Sequence, residues 1–115
     1  MKFINAQLET LQSKEKIQEY YDDIQYIESF LEKEKINIPD EFKLTFSNHV
    51  FVLLNRIKNN ECTTYSEIPT EEISKTSLEQ SKNLVKPLFS KYGIEENKME
   101  EILLAIYLEM GGNHE

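Results

Sequence analysis

Phe46-Ser47-Asn48-His49-Val50-Phe51-Val52-Leu53-Leu54-Asn55-Arg56 sets a histidine at the edge of an otherwise apolar helix face, with an arginine seven residues further on. Read outward, Phe42, Phe46, Val50, Leu53, Leu54 and Ile57 form a stripe about 120° wide at about 100° per residue, the pattern of an amphipathic helix. Pro39 pushes the residue before it out of the helical region and Asp40 can cap a new helix, so this one begins near Asp40; it ends near Asn59-Asn60. On the helix projection His49 lies about 80° from the centre of the stripe, and Arg56 falls about 20° from His49 and about 10 Å further along. Both occupy the same boundary of the face, which suggests chemistry at His49.

Upstream, Ile17, Tyr20, Tyr21, Ile24, Ile27 and Leu31 recur at three- and four-residue steps between Lys, Glu, Asp and Gln, predicting one long amphipathic helix from Ser13 to Lys35. Downstream, residues 61–69 are polar and irregular, and Thr70-Glu71-Glu72 reads as a cap followed by first-turn acids. Ile73, Leu84, Val85, Leu88, Phe89 and Tyr92 come next, with Pro87 expected to kink or divide the segment into a short helix and a longer one. Gly93 is a natural stop, and a final helix from Glu95 to Met110 places Met99, Ile102, Leu103, Ile106 and Met110 on one face. Leu104 and Leu108 lie off that face and widen the apolar surface; a homodimer face is one explanation and deeper burial in the monomer is the more ordinary one. No strand-like alternation occurs. The expected architecture is all-α, a compact bundle of about five helices, with 1–13 an N-terminal extension, 14–110 the helical domain and 111–115 a tail.

The composition narrows the function classes. A chain of 115 residues builds one core. Lys and Arg number 13 against 21 Asp and Glu, and a net charge of -8 repels phosphate backbones, so direct nucleic-acid binding is not expected. No apolar run approaches the roughly 20 residues that cross a bilayer, and Met1 to Thr10 lacks the apolar core of a secretory signal. Cys62 is the lone cysteine, which fits a reduced, cytoplasmic setting.

Candidate catalytic and metal sites fare poorly. The acidic pairs Asp22-Asp23, Glu71-Glu72, Glu95-Glu96 and Glu100-Glu101 sit at adjacent helical positions that diverge by about 100°, so they read as solvated faces. His49 and His114 have no Cys or second His at ligand spacing, and no glycine-rich phosphate loop is present. Neither an enzyme nor a cofactor or metal site is expected. Tyr20, Tyr21 and Tyr26 suit core and interface.

The run Leu44 to Arg56 resembles the first histidine motif of the PTS regulation domain (PRD) family, in which a short polar pair precedes His and an Arg follows seven residues later. Ile24 to Ile38 is similar to that family's first helix and connection, and Leu84 to Gly93 followed by Ile94-Glu95-Glu96 to its penultimate helix and the turn into its last. The resemblance covers roughly Lys14 to Met110. It implies a helical regulatory domain in which histidines accept phosphoryl groups from proteins of the sugar phosphotransferase system. His49 matches the first phosphoacceptor; the position of the second, counted from Gly93, holds Tyr107. His114 lies beyond Gly111-Gly112 and does not inherit the role.

Neutral imidazole is nucleophilic near pH 7, and transfer from a phosphohistidine or phosphocysteine donor needs only exposure and in-line approach at the acceptor. Asn48, Arg56 and Tyr107 are the site-neighbouring candidates. At about 10 Å along the helix, Arg56 is assigned to local structure rather than to direct contact with the ring. Tyr107 is placed either to pack against His49 and donate a hydrogen bond to it or to serve as ordinary core. Two functions remain open. One is a freestanding regulatory domain phosphorylated at His49 by a phosphocarrier protein or an enzyme II component, acting as a homodimer or through protein partners in carbohydrate-linked transcriptional regulation, including antitermination. The other is an adaptor that keeps the fold without phosphoryl chemistry, which Tyr107 favours.

Overall fold

The computed structural model describes residues 3–61 and 73–111, with side chains followed as far as Glu109. Among these residues there are six α-helices and no strand: α1 Ile4–Leu8, α2 Lys14–Glu19, α3 Tyr21–Lys33, α4 Lys43–Lys58, α5 Lys75–Lys91 and α6 Lys98–Gly111, with one 3-10 turn, Asp40–Phe42, leading into α4. The all-α bundle expected from the sequence is the fold found. Cys62, the cap proposed at Thr70, and His114 lie outside the described residues.

The long helix expected from Ser13 to Lys35 is two helices with a corner at Tyr20, whose backbone departs from the helical region (φ -112°, ψ 19°). The corner is held by tertiary contacts. The Tyr20 hydroxyl donates to Asn55 Oδ1 at 2.9 Å, and its ring meets Phe51 edge-on at 5.6 Å. The apolar repeat passes through the corner unchanged, so periodicity alone does not reveal it.

Helices α3, α4 and α5 end in the same way. A left-handed residue follows the cap, Lys35 (φ 57°), Asn60 (φ 56°) and Gly93 (φ 69°), and the next amide reaches back into the last turn. These bonds run from Ile36 to the Leu31 carbonyl, from Glu61 to Arg56 and from Ile94 to Phe89 at 2.8, 2.7 and 3.0 Å. They satisfy carbonyls that the helix leaves without partners. Gly93 and Asn60 terminate helices where the sequence places them; Lys35 adopts the same conformation against its steric preference.

Pro87 does not divide α5, which runs unbroken from Lys75 to Lys91. Proline withholds the amide hydrogen that the carbonyl four residues earlier requires. That carbonyl is Asn83's; the Tyr26 hydroxyl of α3 reaches it at 3.4 Å while donating to the adjoining Leu84 carbonyl at 2.7 Å. The described start of α5 is capped by Ser74, whose Oγ accepts from the Ser77 amide. Helix α6 starts at Lys98, later than the expected Glu95, because the Asn97 side chain accepts from the Glu100 amide at 3.0 Å and caps it there.

Packing builds one core. Helix α1 lies against α4 and buries Ile4 and Leu8 fully, so these two residues ahead of Lys14 join the core. Buried Glu28 of α3 accepts the Ile4 amide at 3.0 Å and fixes the start of α1. Helices α5 and α6 pair closely, and α4 meets α6 across the middle. The packed face of α6 carries Leu104, Ala105 and Leu108, which are enclosed within the monomer, while Met99, Leu103 and Ile106 stay half-buried. The face expected inside is thus rotated partly outward; a helix apolar nearly all round gives periodicity little to choose between.

Candidate functional site

The site lies where α4 crosses α6. His49 and Arg56 are seven residues apart on α4; Glu100 and Tyr107 are seven apart on α6, and seven residues close on two helical turns. The helices run antiparallel, so the two pairs meet as rungs. At one rung the His49 and Tyr107 rings stand 5.1 Å apart with planes inclined by 36°, and Phe46 packs edge-on against Tyr107 at 5.7 Å. At the other, Arg56 Nε and Nη2 donate to Glu100 Oε2 and Oε1 at 2.7 and 2.8 Å, a two-pronged ion pair.

The Arg56–Glu100 rung corrects two expectations. Arg56 does more than support its own helix, since it ties α4 to α6. Glu100 is not on a solvated face: its side chain is 0% exposed, against 25% for Arg56. Neighbouring Glu101 is also buried, and burial raises its carboxyl pKa. Asp23, read as half of another solvated pair, is likewise buried and accepts from Lys91 Nζ and the Tyr92 hydroxyl, both at 2.6 Å.

His49 is half-buried, and its Nε2 is enclosed without a hydrogen-bond partner. Tyr107 packs against the ring as the sequence allowed, but the hydrogen bond it was placed to donate is not made at Nε2. Three influences set the charge of the ring. Burial disfavours the imidazolium most strongly, the positive Arg56 adds to this, and the negative Glu100 opposes it; together they bring the pKa from 6.5 down to about 4. The ring is therefore neutral at pH 7, the form that offers a nucleophilic lone pair. Asn48, half-buried at the adjoining position of α4, takes part in neither rung. Ser47, the other member of the polar pair, is fully buried, and its hydroxyl has no hydrogen-bond partner.

Sequence reasoning missed Glu100. The matching seven-residue spacings are the signal that could have found it: an acid placed before Tyr107 as Arg56 is placed after His49 is the partner that an antiparallel crossing demands. A second polar knot was also missed. Glu109 of α6 accepts from Ser74 Oγ and Ser77 Oγ at 2.8 and 2.7 Å, holding the start of α5 to the end of α6.

No helix among the described residues is long and apolar enough to cross a membrane. Comparison with known proteins gives no match to a curated protein or to a solved structure. The PRD domain profile, by contrast, matches residues 24–110, a span that starts in α3, ends in α6 and includes His49, Arg56, Glu100 and Tyr107. With most of its length covered by that match, the chain belongs to the PRD domain family, a family of regulatory rather than catalytic domains.

Proposed function

We propose that this PRD domain senses the state of the sugar phosphotransferase system through phosphorylation of His49. The observation that carries the reading is the state of the ring: a neutral imidazole whose Nε2 has no partner in the protein, on the helix that also bears Arg56. A phosphocarrier protein or an enzyme II component, carrying a phosphohistidine or phosphocysteine, is the donor. Once the ring packed over it moves aside and uncovers the enclosed nitrogen, the His49 Nε2 lone pair forms the new N–P bond as the donor's N–P or S–P bond breaks, and the electron pair of the broken bond stays on the donor atom. The product adds about -1.5 to -2 charge beside Arg56. Output passes to protein partners in carbohydrate-linked transcriptional regulation, in the cytoplasm. A second copy of the chain is the nearest such partner, and the half-buried Met99, Leu103 and Ile106 of α6 are the surface it would cover.

A second reading has its own support. Tyr107 packs on His49 and Nε2 is enclosed, as expected of an adaptor that keeps the fold without the chemistry. Incubation with phosphoenolpyruvate, the general phosphotransferase enzymes and a cognate enzyme II separates the two. The regulatory reading expects an acid-labile mass gain in wild type that disappears in His49→Ala. No gain in wild type, or a gain that survives the substitution, sinks it in favour of the adaptor.

A further inference from the structure

The two rungs are the described polar and aromatic ties between α4 and α6, and phosphorylation at His49 bears on both. At the first, Nε2 is enclosed and the Tyr107 ring stands 5.1 Å from the imidazole, so a tetrahedral phosphoryl group on that nitrogen has no room while Tyr107 stays in place. At the second, Arg56 is held by Glu100 through two parallel hydrogen bonds. Side chains on a helix lean toward its N-terminus, so an Arg56 guanidinium let go by Glu100 can swing back along α4 across the roughly 10 Å that separate the two residues along the helix. The charges of Arg56 and Glu100 are both felt at the ring.

A phosphoryl group presents a guanidinium with the same two-pronged oxygen geometry as a carboxylate and with more charge, about -1.5 to -2 against -1. We infer that Glu100 is the anion that holds Arg56 in the unmodified domain, and that a phosphoryl group on His49 displaces Tyr107 and takes Arg56 from Glu100, releasing the start of α6 from α4. The inference rests on His49 being the phosphoacceptor. Glu100 is fully enclosed, and a carboxylate that gives up the two-pronged Arg56 pair there is less well compensated for its burial unless water reaches it. The first turns of α6 therefore open to solvent. Helix α6 keeps its ties to α5 at both ends, through the Ser81 hydroxyl donating to the Glu101 carbonyl and through Glu109 with Ser74 and Ser77, so the opening lies between α4 and α6 and α6 does not leave the bundle. Glu100 thus acts as a positioning residue: it sets where Arg56 waits and touches no phosphoryl group itself.

Hydrogen exchange resolved by helix tests this on the full chain, before and after phosphorylation by the phosphotransferase enzymes. The expected result is exchange at least about tenfold faster over residues 98–105 in the phosphorylated protein, with α5 unchanged. Phosphorylation of His49 without a change in α6 overturns the exchange of partners and leaves the phosphoacceptor assignment standing; failure of wild type to become phosphorylated overturns both. Glu100→Gln supplies the second arm. Its α6 is expected to exchange fast before modification, and phosphorylation to add less than about twofold; a further tenfold increase would show that Glu100 is not the displaced partner. The comparison of wild type with its own phosphorylated form needs no variant to fold.

Discussion

Replacing His49 with Gln removes a group whose titration the fold strongly suppresses, and the consequence is a defined change in how stability depends on pH. Folded, the ring has a pKa of about 4; in an unfolded chain it returns to 6.5. Below pH 6.5 the unfolded chain thus binds a proton that the folded chain refuses, and wild type loses stability as pH falls until the folded ring also titrates near 4. At about 1.4 kcal/mol per tenfold, the gap between the two values corresponds to a loss of about 1 kcal/mol by pH 6, about 2 by pH 5 and about 3 by pH 4. These are ceilings, since the half-buried ring keeps some screening from solvent. Urea denaturation at each pH measures the loss, and the difference between wild type and His49→Gln isolates it. Glu101, raised by burial, and Asp40 and Glu19, each held down by a neighbouring lysine, titrate in both proteins and cancel in the difference. The stability difference should shift against wild type by 2 kcal/mol or more, taken as an order of magnitude, between pH 7 and pH 4. A difference that stays flat over that range refutes the claim that burial and Arg56 hold the ring neutral.

Breaking the enclosed ion pair from one side, by Arg56→Ala or Glu100→Gln, should cost about 3–5 kcal/mol by chemical denaturation, and the double substitution much less than the sum of the two. Ser47→Ala removes a buried hydroxyl with no partner, so thermal denaturation should show the variant as stable as wild type or more so by about 1 kcal/mol. Gly93→Ala puts a side chain at φ +69° where nothing lies within 4 Å of the new Cβ; the loss should be the backbone preference alone, about 1 kcal/mol, with the fold unchanged by circular dichroism.

Features of this fold are legible in the sequence where the force behind them leaves a local trace. The span of α4 is readable because apolar residues recur along a single face, and its end because Asn60 tolerates the left-handed conformation that closes the last turn. The corner at Tyr20 is not, because its hydrogen bond runs to Asn55, 35 residues away. Pro87 misleads for a related reason: the local rule is sound, but Tyr26, 57 residues before Asn83, reaches from another helix the carbonyl that the proline leaves without an amide. Of the candidate site, the packing of Tyr107 on His49 is one of the two placements that residue order and family likeness left open. The partner of Arg56 is not anticipated, because the character of Glu100 is decided by a guanidinium 44 residues earlier in the chain and not by its neighbours Met99 and Glu101. Exposed and enclosed acids look alike in sequence; only the crossing of α4 with α6 tells them apart.

The central claim is that His49 accepts a phosphoryl group. Transfer of labelled phosphate from phosphoenolpyruvate through the phosphotransferase enzymes, followed by peptide mapping under alkaline conditions that preserve phosphohistidine, measures it directly. The account predicts label confined to the peptide that contains His49 and absent from the His49→Ala variant. Label on the peptide containing His114, or no label in wild type, would contradict it.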